Sequence, residues 1–160
     1  MTALVQAFDS EATYLAAIDV TLAAARTEIR IFDHDLQAMG LGERSRVEQL
    51  TSFLRGGRDR RLRIVVHDSD ALERNLPRLI DVMRLYGHLI ETRRTPEHLR
   101  HLADRWLLAD AAHGTIRFHA DHARGKLVIN MPTEIEPWWR RFEDLWEESE
   151  MCSPGATTGL

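Results

Sequence analysis

The chain has 160 residues, of which 44% are hydrophobic and 29% charged, with a net charge of −4. That length suits one ordinary domain, which buries roughly 68–70% of its unfolded surface and needs no disulfide or metal to hold a core. The negative balance argues against general nucleic-acid binding by bulk electrostatics, leaving nucleic acid a possible but not a favoured partner, and the absence of any apolar run of ~18 residues excludes a membrane-spanning helix.

Ala3–Phe8 (ALVQAF) is a candidate first strand, and it lacks the basic start and apolar core of a signal peptide. Asp9 and Ser10 follow as candidate N-caps, with Glu11 in the first turn. Tyr14, Leu15, Ile18, Leu22 and Ala25 then recur at helical spacing and predict an amphipathic helix over 10–26. Glu28–Asp33 (EIRIFD) alternates and is rich in β-formers. After a loop (DHDLQAMGLG), Val47, Leu50, Phe53 and Leu54 mark a helix that stops at Gly56 and Gly57. Arg61–Asp68 (RLRIVVHD) has the continuous apolar centre of an interior strand.

The next helix buries Leu72, Leu76, Leu79, Ile80 and Met83, with Pro77 starting its main segment or kinking it and Gly87 ending it. His88–Arg94 reads as a strand and TPEHLRHLA as a short turn or helix. Three strands follow: Arg105–Ala109, Thr115–Phe118 and Lys126–Asn130. In TEIEPWWRRFEDLWEES, residues Trp138, Trp139, Phe142, Leu145 and Trp146 form one stripe of a helix whose core packing is expected. Trp139, on the stripe's edge, is available for a subunit contact. Thr133 with Glu136 fits a capping box, and Pro137 is a competing first helical residue. Residues 151–160 read as a disordered tail, leaving 1–150 as the domain. The single cysteine, Cys152, lies in that tail without an internal disulfide partner, which fits a reducing cytoplasm.

The order of elements is β-α-β-α-β-α-β, then three strands, then a terminal helix. It predicts an α/β fold with right-handed crossovers: a mixed, largely parallel central sheet flanked by helices on both faces.

One stretch, ADRWLLAD (Ala103–Asp110), joins a charged start to an apolar centre and an acidic end. With RLRIVVHD after a Gly-Gly turn, MRLYGHLIETRR, and the closing RRFEDLWEES, it resembles one half of the phospholipase D-like superfamily over roughly residues 10–149. In that family a strand carries His-x-Lys-x4-Asp. Here Ala103 stands at the His place, Arg105 at the Lys place and Asp110 at the Asp place. The resemblance implies a family mechanism in which the His attacks phosphorus, the Lys holds the phosphate oxygens, and a second His protonates the leaving oxygen. Ala103 supplies no nucleophile, whereas Arg105 keeps a cation that grips phosphate bidentately. His101 is no substitute, because that register puts Ala103 and Leu108 at the Lys and Asp places. Complete sites in the family come from two halves, which implies a homodimer.

FHADHARGK (Phe118–Lys126) offers His119 and His122 as alternative catalytic groups, with Asp121 and Arg124 beside them; a polar hairpin connection accounts for the same residues. FDHDL (Asp33, His34, Asp35) and HDSD (His67, Asp68, Asp70) both follow predicted strands and fit either a divalent-metal site or helix caps, and the caps are preferred. RGGRDRRLR (Arg55–Arg63) fits either a phosphate-backbone contact or a solvated helix end. Twenty arginines against one lysine, Lys126, fit both a GC-rich bacterial genome and anion binding through guanidinium forks.

The expectation is a catalytically degenerate cytoplasmic module that binds a phosphate-containing ligand or a protein partner, without cofactor, metal or membrane. Its ligand-binding candidates are Arg105, Asp110, His101, Asp104 and Arg124. Two alternatives stay open: a phosphodiesterase or nuclease using His119 or His122, and a structural interaction protein without ligand.

Overall fold

The structure is a computed structural model that describes residues 2–155. Among the described residues, eight strands form one mixed sheet. In chain order they are β1 (Leu4–Phe8), β2 (Glu28–Asp33), β3 (Arg61–Val66), β4 (Ile90–Arg94), β5 (Arg105–Ala109), β6 (His113–His119), β7 (His122–Ile129) and β8 (Glu150–Cys152). Across the sheet the order is β1-β7-β6-β5-β2-β3-β4-β8. The helices are α1 (Glu11–Ala24), α2 (Arg44–Arg55), α3 (Asp70–Asn75), α4 (Pro77–Leu85) and α5 (Pro132–Glu148).

The mixed sheet with helices on both faces agrees with the sequence reading, but it is mostly antiparallel rather than largely parallel: only β2, β3 and β4 pair in parallel, because β5, β6 and β7 follow one another through short turns. The remaining neighbours pair antiparallel. The first strand departs from the expected crossover: β1 pairs antiparallel with β7 at the sheet edge, because β2 already has β3 and β5 on its two sides.

Alternation sorts the side chains into two layers. Ile29, Ile31, Leu62, Ile64 and Leu107 face α1 to α4 and pack with Tyr14, Ile18, Leu22, Leu50 and Leu79. Phe32, Val65, Trp106, Leu108 and Val128 face α5 and pack with Ile135, Phe142, Leu145 and Trp146. Trp106 is fully buried. Strands in the middle of such a sandwich are apolar on both faces, which is why RLRIVV reads as a continuous run.

Local chemistry sets the helix ends. Ser10 caps α1: its hydroxyl accepts from the Thr13 N–H at 3.1 Å while the Ser10 N–H donates to Thr13 Oγ1. Pro77 starts a separate helix, α4. In α5 the Thr133–Glu136 box does not form. The helix begins at Pro132, more than one turn ahead of Pro137, after Met131, whose carbonyl accepts from Glu134 and Ile135, so Pro137 lies inside it. The buried Ile135 anchors that extra turn.

The tail boundary also moves. Met151 and Cys152 extend the sheet in β8, and Gly155 is tied to Glu73 and Arg84. Residues 156–160 of the expected tail lie outside the described residues. Among the described residues, no helix is long and apolar enough to cross a membrane.

Candidate functional site

β5 runs antiparallel to β2, so Arg105 at its start lies beside Asp33 at the carboxyl end of β2. Ligands of open α/β sheets bind at that end. Arg105 is on the α1-to-α4 face, with its Nε 3.5 Å from Asp33 Oδ1. Asp33 is completely buried. Its Oδ2 accepts from the Leu36 N–H at 2.7 Å, and its Oδ1 has no hydrogen-bond partner among the described residues. Burial pushes this carboxyl above its ordinary pKa, against the pull of the Arg105 guanidinium and the Leu36 N–H.

The hairpin from β5 to β6 places a second arginine directly across from the first: Arg117 is the register partner of Arg105. Like charges in that position repel. Each arginine has its own carboxylate to offset this. Arg117, 3% exposed, donates Nη1 and Nη2 to the two oxygens of Glu11 at 3.0 Å each, and Nε and Nη2 to the carbonyls of His119 and Ala120. Tyr14 lies under it, with the guanidinium carbon 4.8 Å from the ring centroid. The Tyr14 hydroxyl is buried and has no hydrogen-bond partner among the described residues. Burial pushes its pKa up and Asp33 adds to the rise, while Arg117 and Arg105 oppose it. Tyr14, Asp33, Arg105, Arg117 and Glu11 thus form one charged cluster built by α1, β2, β5 and β6.

His67 holds the entry to β5. Its Nδ1 is 2.7 Å from Thr95 Oγ1 and its Nε2 is 2.9 Å from the Leu102 carbonyl. Facing a carbonyl assigns the proton to Nε2. Burial lowers its pKa, so the ring stays neutral and pins the segment that leads to Ala103 and Arg105.

The other sequence candidates go elsewhere. Asp104 faces α5, where Arg141 and Trp106 Nε1 donate to it. Asp110 sits at the far end of β5, roughly 16 Å from Arg105 at ~3.3 Å per residue, and accepts from the backbone of Arg26, Thr27 and Glu28. His101 is exposed in the turn before β5, and Arg124 lies on the α5 side of β7 with Lys126. Ala103, partly exposed, brings only a methyl group. His119 and His122 flank the β6–β7 turn with ring centroids 6.2 Å apart, both exposed, just beyond Arg117.

Asp68 and His67 serve a helix start and a loop respectively. Among the described residues, no three His, Cys, Asp or Glu side chains converge as a metal site requires. Arg30 covers the face of Trp139, 3.8 Å from its centroid, so this indole is partly taken up within the chain. In the Arg55–Arg63 stretch, Arg60 folds back on Phe53 and Arg63 turns towards Glu143.

Glu11, Tyr14 and Arg117 were not among the sequence candidates for the site. Arg117 was reachable by counting register back from the β5–β6 turn, where Asp110 and Ala111 both adopt positive φ. Glu11 read only as a helix-start acid and Tyr14 only as core.

Residues 9–154 match the family described as "Domain of unknown function (DUF7931)". No curated protein matches the chain. Among solved structures, the chain is similar to Nuc from Salmonella typhimurium, a phospholipase D family member. The TM-score is 0.63 at 18% identity, covering 94% of this chain and 99% of that one. It is also similar to TrmBL2, an archaeal chromatin protein with a novel mode of DNA binding (TM-score 0.69, 15% identity, 92% and 54% covered). NucT from Helicobacter pylori is similar too, at a TM-score of 0.55 and 10% identity, with 94% and 100% covered. At these identities the likeness is one of fold, and the fold is phospholipase D-like.

Proposed function

We propose that this chain, which belongs to the DUF7931 family and has a phospholipase D-like fold, is a non-hydrolytic module that binds a phosphate-containing anion. The reading rests on one observation: Arg105 and Arg117 stand side by side at the carboxyl end of β2, while the position two residues before Arg105 carries the methyl group of Ala103. Two guanidinium forks supply charge and directed donors for phosphate oxygens. Without an imidazole at 103, no covalent phosphoenzyme forms there. Arg105 is the ligand-binding residue carried over from the sequence reading, and Arg117 is added to it.

The test uses the purified chain with inorganic phosphate as the binding probe, followed by calorimetry. Duplex DNA is a second probe, because a DNA-binding chromatin protein has a similar fold. Binding that weakens with salt and falls at least tenfold in Arg105→Ala supports the reading. A chromogenic phosphodiester, with and without divalent metal, is expected to remain intact. Turnover abolished by His119→Ala or His122→Ala would overturn the non-hydrolytic reading and favour the exposed histidine pair as catalytic. Absence of both binding and turnover would leave the scaffold alternative in its place.

A further inference from the structure

The arginine pair is already filled from inside. Both terminal nitrogens of Arg117 go to the two oxygens of Glu11, in the geometry that a phosphate would use. The partners are unequal in accessibility: the Arg117 side chain is 3% exposed and that of Glu11 is 64% exposed. Glu11 has no other side-chain partner among the described residues. It is the first residue of α1, next to a cap that Ser10 completes with Thr13, so its side chain leaves Arg117 without unwinding the helix.

A phosphate taking its place meets more than one cation. Arg105 lies across the register, and the positive end of α1 lies beside it. Below, the Tyr14 hydroxyl is buried with no hydrogen-bond partner among the described residues and has a proton to donate, while Asp33 Oδ1 accepts no hydrogen bond there and is held only by the charge of Arg105, 3.5 Å away. Both atoms lie beside a cation pair whose two carboxylates differ in place: Asp33 is buried and fixed, while Glu11 is at the surface and free to leave.

We propose that Glu11 is a built-in competitor: a phosphate-type anion enters by displacing the Glu11 carboxylate from Arg117, and this internal pair sets the affinity of the site. The inference rests on the anion-binding reading above and specifies how that site is regulated.

Inorganic phosphate is titrated by calorimetry into the wild-type chain, Glu11→Gln, and Glu11→Gln combined with Arg117→Ala, with circular dichroism on each. The glutamine variant is expected to bind at least tenfold more tightly than wild type, and the double variant to lose that gain. Glu11→Asp, which shortens the reach, gives the same direction of change and stands in if the glutamine variant is not folded. Equal affinity in wild type and Glu11→Gln, still lost in Arg105→Ala, would refute the competitor and leave the anion site standing. No phosphate binding by any folded variant would refute the anion-binding reading itself.

Discussion

Replacing Asp110 separates a ligand-binding role for this residue from a structural one. Its carboxylate accepts four hydrogen bonds: the N–H groups of Arg26 and Thr27 at 2.8 Å, the Thr27 hydroxyl at 2.8 Å and the Glu28 N–H at 3.0 Å. Three of these are solvent-exposed and are replaced by water when the acceptor goes, so they count for roughly 0.5 kcal/mol each; the partly buried Glu28 bond counts for about 1.5 kcal/mol. Alanine also takes up the left-handed backbone here, φ 57°, less readily than aspartate, which adds about 1 kcal/mol. Asp110→Ala is therefore expected to lose about 4 kcal/mol, or about 8–16 °C in Tm. Asp110→Asn, which keeps one acceptor oxygen and tolerates the backbone, is expected to lose about 1–2 kcal/mol.

Urea unfolding followed by tryptophan fluorescence reads both values. Burial raises the pKa of Asp110, but the donors from Glu28, Thr27 and Arg26 outweigh it and hold the carboxyl below its ordinary value. The stability it supplies is thus full above the unfolded pKa of ~3.9 and is lost as pH falls through the lower folded value. An alanine variant within about 0.5 kcal/mol of wild type, or an asparagine variant as unstable as the alanine one, would refute the clamp.

Two further outcomes follow from the packing and from Asp33. A Cβ on Gly125 would stand 1.8 Å from the Ile116 carbonyl oxygen and 2.6 Å from Phe8 Cζ, so Gly125→Ala is expected to cost more than ~3 kcal/mol or prevent folding. A Cβ on Gly114 would crowd the methyl ends of Leu108 and Ile135 at 2.9 and 3.0 Å, with the Leu107 carbonyl at an ordinary 3.5 Å, so Gly114→Ala is expected to cost about 1–2 kcal/mol in the same unfolding assay; equal costs would count against this explanation. Burial raises the Asp33 pKa, so the folded chain holds that proton to a higher pH than the unfolded chain. The associated stability is complete below ~3.9 and declines as pH rises through the folded value. Asp33→Asn is expected to gain stability relative to wild type steadily over that rise, and a difference that stays flat with pH would contradict it.

Much of the layered fold was legible because its signals are local. EIRIFD and RLRIVV announce strands buried on both faces, and the spacing of Tyr14, Ile18 and Leu22 announces a helix lying on them. The partner of β1 was not legible, since LVQAF has the same alternation whether it joins β2 or the far edge. The site was half legible. Arg105 was found by its place in a pattern, but its partners Asp33 and Arg117 come from strands whose register depends on a turn with two left-handed residues. Asp110 matched the same pattern by position, yet its work is done on the backbone at the opposite end of the strand, and spacing in sequence carries no information on which end of a strand a side chain serves.

The position of β1 bears on how the chain reaches this state during synthesis. LVQAF leaves the ribosome well before its partner strand, since Leu4 pairs with Ile129 and Phe8 with Gly125. Until then an apolar segment with an open backbone edge waits while the central strands assemble beside it. Translation pauses placed before β7 would lengthen that exposure, and aggregation of nascent chains would rise with them.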